Sequence, residues 1–83
     1  MEGENTMSGP VQAYFLAIVK RGTEHEVAEK LGNIDGVTDV LVTYGMWDIV
    51  AHIETENLPK LDTIITDMRK INEITQTSTL VGA

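Results

Sequence analysis

Cysteine is absent from this chain of 83 residues, and basic and aromatic residues are few. Without cysteine, disulfide frameworks, thiol catalysis and cysteine-ligated zinc or iron–sulfur sites are excluded. Lys and Arg number 6 against 13 Asp and Glu, and the net charge of −7 argues against binding a phosphate backbone. No apolar run approaches a membrane span, and residues 1–10 lack the hydrophobic core of a signal peptide. These absences favour a cytoplasmic protein that contacts neither DNA nor a membrane.

The length of the chain allows one domain. We expect residues 1–11, which are polar and contain Gly9-Pro10, to form a flexible tail, and residues 12–83 to form the folded domain. A domain this short buries only a modest fraction of its surface. Sharing apolar surface with another subunit would therefore stabilise it.

The first predicted strand, Gln12–Lys20, is apolar on both faces. One face would carry Ala13, Phe15, Ala17 and Val19, and the other Tyr14, Leu16 and Ile18. Both faces of this strand should therefore be covered. The chain's own helices can cover one, so we expect a second subunit to cover the other.

Turn and cap signals divide the rest of the chain. Thr23 and Glu26 match a capping box, which predicts a helix that stops at Gly32. Two strands, Val37–Tyr44 and Trp47–Glu54, would then form a hairpin through Tyr44-Gly45-Met46.

A second helix follows, with Asn57 as its cap and Pro59 in its first turn. The last strand is Ile74–Val81. The two helix-to-strand joints resemble each other, as Ile34–Val37 and Ile71–Ile74. The order β-α-β-β-α-β predicts an α+β, ferredoxin-like fold: a four-stranded antiparallel sheet with two helices on one face. We expect a dimer to form through the other face.

Neither the two histidines nor any sequence motif indicates a catalytic site. His25 lies among glutamates and could bind a metal with a carboxylate, although a solvated helix face explains it better. His52 could be a general base or simply a polar residue of the sheet face. Neither has a Ser or Cys partner at recognisable spacing, and no Gly-rich phosphate loop is present. We therefore predict no catalytic residue, metal site or cofactor.

Asp48 and the last strand carry the remaining polar signals. A carboxylate at a hairpin mouth beside Trp47 could receive a ligand's ammonium group, or could equally serve turn chemistry. Gly45 would let a ligand approach the backbone. Thr75, Thr77 and Thr79 share one strand face, where hydroxyls could bind a zwitterion or simply keep an edge strand soluble.

The segments AYFLAIV, IDGVTDV, YGMWDIVAHI, LPKLDTIITDM and INEITQTSTLV together resemble the effector-binding RAM domain of the Lrp/AsnC family of feast/famine regulators. The resemblance covers about residues 12–81. Its most specific parts are the Gly45-x-x-Asp48 motif, which apolar alternation follows, and the ending Thr77-Ser78-Thr79-Leu80-Val81.

The resemblance implies a free amino acid bound between dimers, which assemble into an octameric or decameric ring. It assigns the ligand site to Thr43, Tyr44, Gly45, Met46, Trp47, Asp48, Thr75, Gln76 and Thr77. Asp48 would take the ligand ammonium, and Thr75–Thr77 would come from a neighbouring dimer. Family members carry an N-terminal helix-turn-helix that this sequence lacks, so we expect a stand-alone module that can also mix with full-length regulators. Tyr44 stands where the family often has Thr, which affects ligand choice.

Two other functions share this element order. A small dimeric monooxygenase or isomerase would use His52, Tyr14 and Asp48 in a pocket inside one subunit. An RNA-binding domain would need stacking aromatics and basic surroundings, which the charge of −7 opposes.

Overall fold

The computed structural model describes residues 10–82. Of the predicted tail, only Pro10 and Val11 fall within this range; residues 1–9 lie outside it. The elements, in chain order, are β1 (Val11–Val19), α1 (Glu24–Gly32), β2 (Val37–Val42), β3 (Ile49–Thr55), α2 (Leu58–Arg69) and β4 (Ile74–Val81). The predicted order β-α-β-β-α-β is confirmed.

The four strands form one antiparallel sheet in the order β2-β3-β1-β4, with β1 at an interior position. The side chains of β1 that face the helices are buried, and they lie opposite the buried side chains of β3. Helix α1 packs mainly on β2, and α2 packs on β3 and β1. The core consists of Ala13, Phe15, Ala17, Val19, Val27, Leu31, Ile49, Ala51, Ile53, Leu61, Ile65 and Met68. The predicted ferredoxin-like arrangement is therefore confirmed.

The opposite face of the sheet, which we call the open face, is not covered by either helix of residues 10–82. It carries the apolar side chains Tyr14, Leu16, Ile18, Leu41, Val50 and Leu80. Tyr14, Leu41 and Leu80 are each at least half exposed, and a set of exposed apolar neighbours is typical of an interaction surface. The two-sided apolar pattern of β1 thus has one face in the core and one face in solvent.

The two helices begin differently. At α2 the prediction is confirmed: the Asn57 Oδ1 accepts the Lys60 N–H at 2.9 Å. At α1 the predicted capping box is wrong, because Thr23 makes no side-chain cap. Its hydroxyl donates instead to the Lys20 carbonyl at 2.6 Å, which closes the turn between β1 and α1.

The two helix-to-strand joints have the same kind of turn. The Val37 N–H donates to the Ile34 carbonyl, and the Ile74 N–H donates to the Ile71 carbonyl, each at 3.1 Å. Only the first joint needs glycine. Gly36 has a φ of +99°, and a Cβ there would lie 2.6 Å from the Ile64 Cδ1. This close approach lets α2 lie directly over the joint.

Candidate functional site

The loop between β2 and β3 is longer than the predicted turn. β2 ends at Val42 and β3 begins at Ile49, so residues 43–48 connect them. The Thr43 N–H donates to the Asp48 carbonyl at 2.8 Å, and the Thr43 hydroxyl donates to the Trp47 carbonyl at 2.6 Å. These bonds close the base of the loop, and Asp48 turns its own amide toward β1 rather than β2, donating to Ala17 at 2.9 Å.

Asp48 also binds β1 through its side chain. Its half-buried carboxylate accepts the Val19 N–H through Oδ2 at 3.0 Å. Pairing of β1 with β3 ends at Ala17 and Ile49, so the Val19 amide lies beyond the ladder and needs another acceptor. Within residues 10–82 we find no hydrogen bond to Oδ1. One carboxylate oxygen therefore serves the fold, and the other has capacity for a further donor.

The tip of the loop holds large apolar side chains in solvent. Tyr44 is fully exposed and Met46 is 79% exposed, whereas Trp47 is half-buried. Gly45 lies between the two exposed residues with a φ of +128°, and no atom comes within 4 Å of the position that a Cβ would take. The backbone at Gly45 is thus open to an approaching molecule.

The other predicted segment, Thr75–Thr77, is bound to the opposite side of the same part of β1. The Thr75 hydroxyl donates to the Ile18 carbonyl at 3.1 Å. Gln76 pairs with Ile18, and Thr77 pairs with Ala17. A register shift between Ile18 and Val19 marks this position. Within one chain, therefore, the loop and Thr75–Thr77 flank β1 at the same end of the sheet.

The pairing of β4 agrees with the predicted alternation at Thr77 and Thr79 but not at Thr75, because the register shift places Ile74 opposite the buried Val19. Thr77 and Thr79 lie opposite Ala17 and Phe15 on the helix side, whereas Gln76 and Ser78 lie on the open face. The Thr79 hydroxyl is buried without a hydrogen-bond partner among the described residues.

An ion pair lies just before β4. Lys30 Nζ lies 3.4 Å from Glu73 Oε1 and the same distance from Glu26 Oε2. The pKa of Glu73 is lowered, first by its own backbone N–H and then by Lys30, against the opposing effect of desolvation. The pKa of Lys30 is raised, chiefly by its hydrogen bond to Glu73. The charge of Glu73 is thus balanced in part within the chain.

His52 lies on the open face. Its Nδ1 is 2.6 Å from the Thr38 hydroxyl, its Nε2 is 3.0 Å from Gln12 Oε1, and its ring centroid is 5.0 Å from that of Tyr14. Asp48 binds Val19 instead and takes no part in this group. His25 is exposed on α1.

Two clefts of about 550 and 470 Å³ are formed by the described residues, and both lie away from His52. One lies beside Gly36 and Ile64, and the other lies between α2 and the end of β4. In the described part of the chain no group of side chains could hold a metal ion. No helix in residues 10–82 is both long and apolar enough to cross a membrane.

Comparison with known proteins identifies the family to which the sequence is similar. The sequence family model of the Lrp/AsnC ligand binding domain matches residues 12–82. An uncharacterised helix-turn-helix transcriptional regulator of Pyrococcus horikoshii is 35% identical over 61 residues, which are 72% of this chain and 41% of that protein. The match thus spans about two fifths of the length of this curated relative.

Solved structures agree. A hypothetical protein from Pyrococcus horikoshii superposes with a TM-score of 0.84 at 39% identity, covering 88% of this chain and 89% of that one. A transcriptional regulator from Neisseria meningitidis, solved as a complex with L-Met, has a TM-score of 0.78 at 9% identity, covering 100% of this chain and 56% of its own. The last likeness concerns the fold alone.

These matches define a ligand-binding domain of the kind found in transcriptional regulators. The chain belongs to the Lrp/AsnC family. It is a regulatory effector module and not an enzyme, so the predicted resemblance is confirmed and the monooxygenase or isomerase alternative is set aside. Sequence reasoning did not find the bond between Asp48 and Val19, because the two residues lie 29 positions apart.

Proposed function

We propose that this chain is an amino-acid-binding effector and oligomerisation module whose ligand lies between dimers. The observation that carries the proposal is the anchored carboxylate of Asp48. Because Oδ2 accepts the Val19 N–H, the side chain is held at the base of the loop, and Oδ1 can accept from a ligand ammonium group. A charge-assisted hydrogen bond of this kind is stronger than a neutral one.

The ligand carboxylate would lie against the backbone near Gly45. The positive φ of Gly45 and the open space around it permit close approach to the main chain. Backbone N–H groups in such a turn can bind an anion. Asp48 and the Gly45 backbone would thus receive the two charged ends of one amino acid.

A neighbouring dimer would complete the site. In a single chain, Tyr44 and Met46 project into solvent at the tip of the loop. Thr75, Gln76 and Thr77 would approach from the neighbour, since within one chain they lie on the far side of β1 from the loop. Ligand binding would then favour assembly into an octameric or decameric ring.

The dimer itself would form through the open face. Three of its apolar side chains, Tyr14, Leu41 and Leu80, are at least half exposed in the free chain, and so small a domain has little other surface to bury. The sheets of two copies would pack face to face with their inner side chains interdigitated. The same contacts would admit related regulators that carry this domain.

Amino-acid binding is supported by the family match and by the L-Met complex of the meningococcal regulator, which has the same fold. The test is to measure thermal unfolding and molar mass with each proteinogenic amino acid at millimolar concentration. A ligand at a hundredfold excess over its Kd stabilises the bound form by about 2.7 kcal/mol. We expect at least one amino acid to raise the melting temperature and the molar mass together.

Asp48→Asn supplies the matched variant, because it keeps an oxygen for Val19 while it removes the charge. Asp62→Asn, at an exposed carboxylate of α2, serves as the control. We expect Asp48→Asn to abolish the response and Asp62→Asn to retain it. No response to any amino acid in the unmodified protein would refute the proposal, and an unchanged response in Asp48→Asn would remove Asp48 from the site.

A further inference from the structure

We infer that Tyr44 and Met46 make the site selective for amino acids with an apolar or aromatic side chain. The inference rests on the proposed function and adds to it the chemical class of the ligand. It assigns to the loop tip a role that the anchoring residues Thr43 and Asp48 do not have.

The residues that fix the loop to the sheet differ from the residues exposed at its tip. Thr43 and Asp48 form hydrogen bonds to Trp47, to β1 and to each other, and these bonds fix the backbone at the base. Tyr44 and Met46 are the exposed apolar side chains of this loop, at full and 79% exposure. Their side chains fill no part of the core, so the fold does not account for them.

The tip of the loop lies next to the two groups that would bind the charged ends of the ligand. Tyr44 and Met46 flank Gly45, whose backbone would receive the ligand carboxylate, and Asp48 follows two residues after Met46. A ligand held at both charged ends would therefore have the two side chains beside it. An apolar ligand side chain would remove apolar surface of Tyr44 and Met46 from water, and this burial is the main source of apolar affinity.

The charges around the site point to the same class. Within the loop and Thr75–Thr77, Asp48 is the only acidic or basic residue. It would already bind the ligand ammonium. A ligand with a charged side chain would lose hydration without gaining a partner there, which is costly. The net charge of −7 further disfavours acidic amino acids.

The experiment is isothermal titration of the assembled protein with leucine, methionine and phenylalanine, and with threonine, glutamine, lysine and aspartate. We expect the apolar group to bind on the order of tenfold more tightly, the range that apolar pockets give for small side-chain differences. Tyr44→Thr and Met46→Thr should each reduce the ratio of apolar to polar affinity several-fold. Both positions are exposed, so neither change disturbs the core.

Leu58→Thr is the control, since Leu58 is an apolar residue of α2 that is 60% exposed and lies outside the loop. It should leave the affinity ratio unchanged. If the two loop variants alter molar mass but leave the affinity ratio as it was, the residues serve subunit packing and the inference fails. Preference for a charged amino acid would also overturn it while leaving the proposed function intact. Absence of binding by every amino acid would refute both.

Discussion

The carboxylate of Asp48 accepts the backbone N–H of Val19 at 3.0 Å and so extends the β1–β3 pairing beyond its last residue pair. Asp48 therefore has a role in stability that is separable from its proposed role in binding. Asp48→Ala leaves the Val19 amide without its acceptor and should cost about 1–3 kcal/mol. Asp48→Asn keeps an oxygen in place and should cost less than about 1 kcal/mol. Urea denaturation measures both, and equal losses would show that charge rather than the hydrogen bond matters here.

Gly36 tests how closely α2 packs on the first joint. Gly36→Ala combines a positive φ with a Cβ placed 2.6 Å from the Ile64 Cδ1, whereas Gly22→Ala has the positive φ and nothing within 4 Å. The conformational cost common to both is about 1–2 kcal/mol. We expect Gly36→Ala to lower the free energy of unfolding by more than Gly22→Ala.

The excess should fall when Ile64→Val removes the Cδ1 atom. The measurement is the free energy of unfolding. Gly36→Ala and Gly22→Ala are each compared with the unmodified protein, and the double variant Gly36→Ala, Ile64→Val is compared with Ile64→Val alone. An excess that persists in the pair would assign the cost to the backbone of the joint.

The two helix starts predict unequal effects of similar substitutions. Asn57→Ala removes a side-chain cap and should destabilise the protein by about 1 kcal/mol. Thr23→Ala removes an exposed turn hydrogen bond and no cap, so the loss should be smaller. Chemical denaturation compares the two variants. A larger loss at Thr23 would mean that its turn, rather than the helix start, limits stability.

The open face should control self-association. Leu16 lies near the middle of this face, paired with Val50 on one side and Ser78 on the other. Leu16→Glu would place a carboxylate between the two sheets of the proposed dimer and should weaken that dimer by roughly a hundredfold or more, because an unpaired buried charge costs several kcal/mol. Sedimentation over a range of concentrations measures the change.

Leu58→Glu is the matched control, since it adds the same charge on the helix side of the chain. It should leave the dimer intact. Dissociation by both variants, or by neither, would place the interface away from the open face.

Local pattern predicted most of the fold. The two-sided apolar alternation of β1 identified a strand between a core face and an open face, and Asn57 with Pro59 marked the start of α2 correctly. Short-range signals failed where a longer-range contact competes. The Thr23 hydroxyl bonds backward to Lys20, although the spacing to Glu26 matches a capping box.

The ends of β2 and β3 were predicted too close to each other for a related reason. Asp48 directs its amide and its carboxylate to β1, and no periodicity in residues 43–48 indicates this. The predicted site residues are divided by β1 within one chain, and a sequence cannot reveal which strand separates them. Residue types indicated where a ligand could bind, and topology decided which residues share a side.

The division of the loop between Thr43–Asp48 anchors and an exposed tip has a consequence for how relatives diverge. Substitutions at Asp48 must satisfy the Val19 amide, so folding limits them. Tyr44 and Met46 carry no such obligation, because they are exposed and outside the core. In the proposed site, new ligand preferences would therefore arise by mutation at the tip with little loss of stability, and those two positions can be varied as a library on an unchanged scaffold.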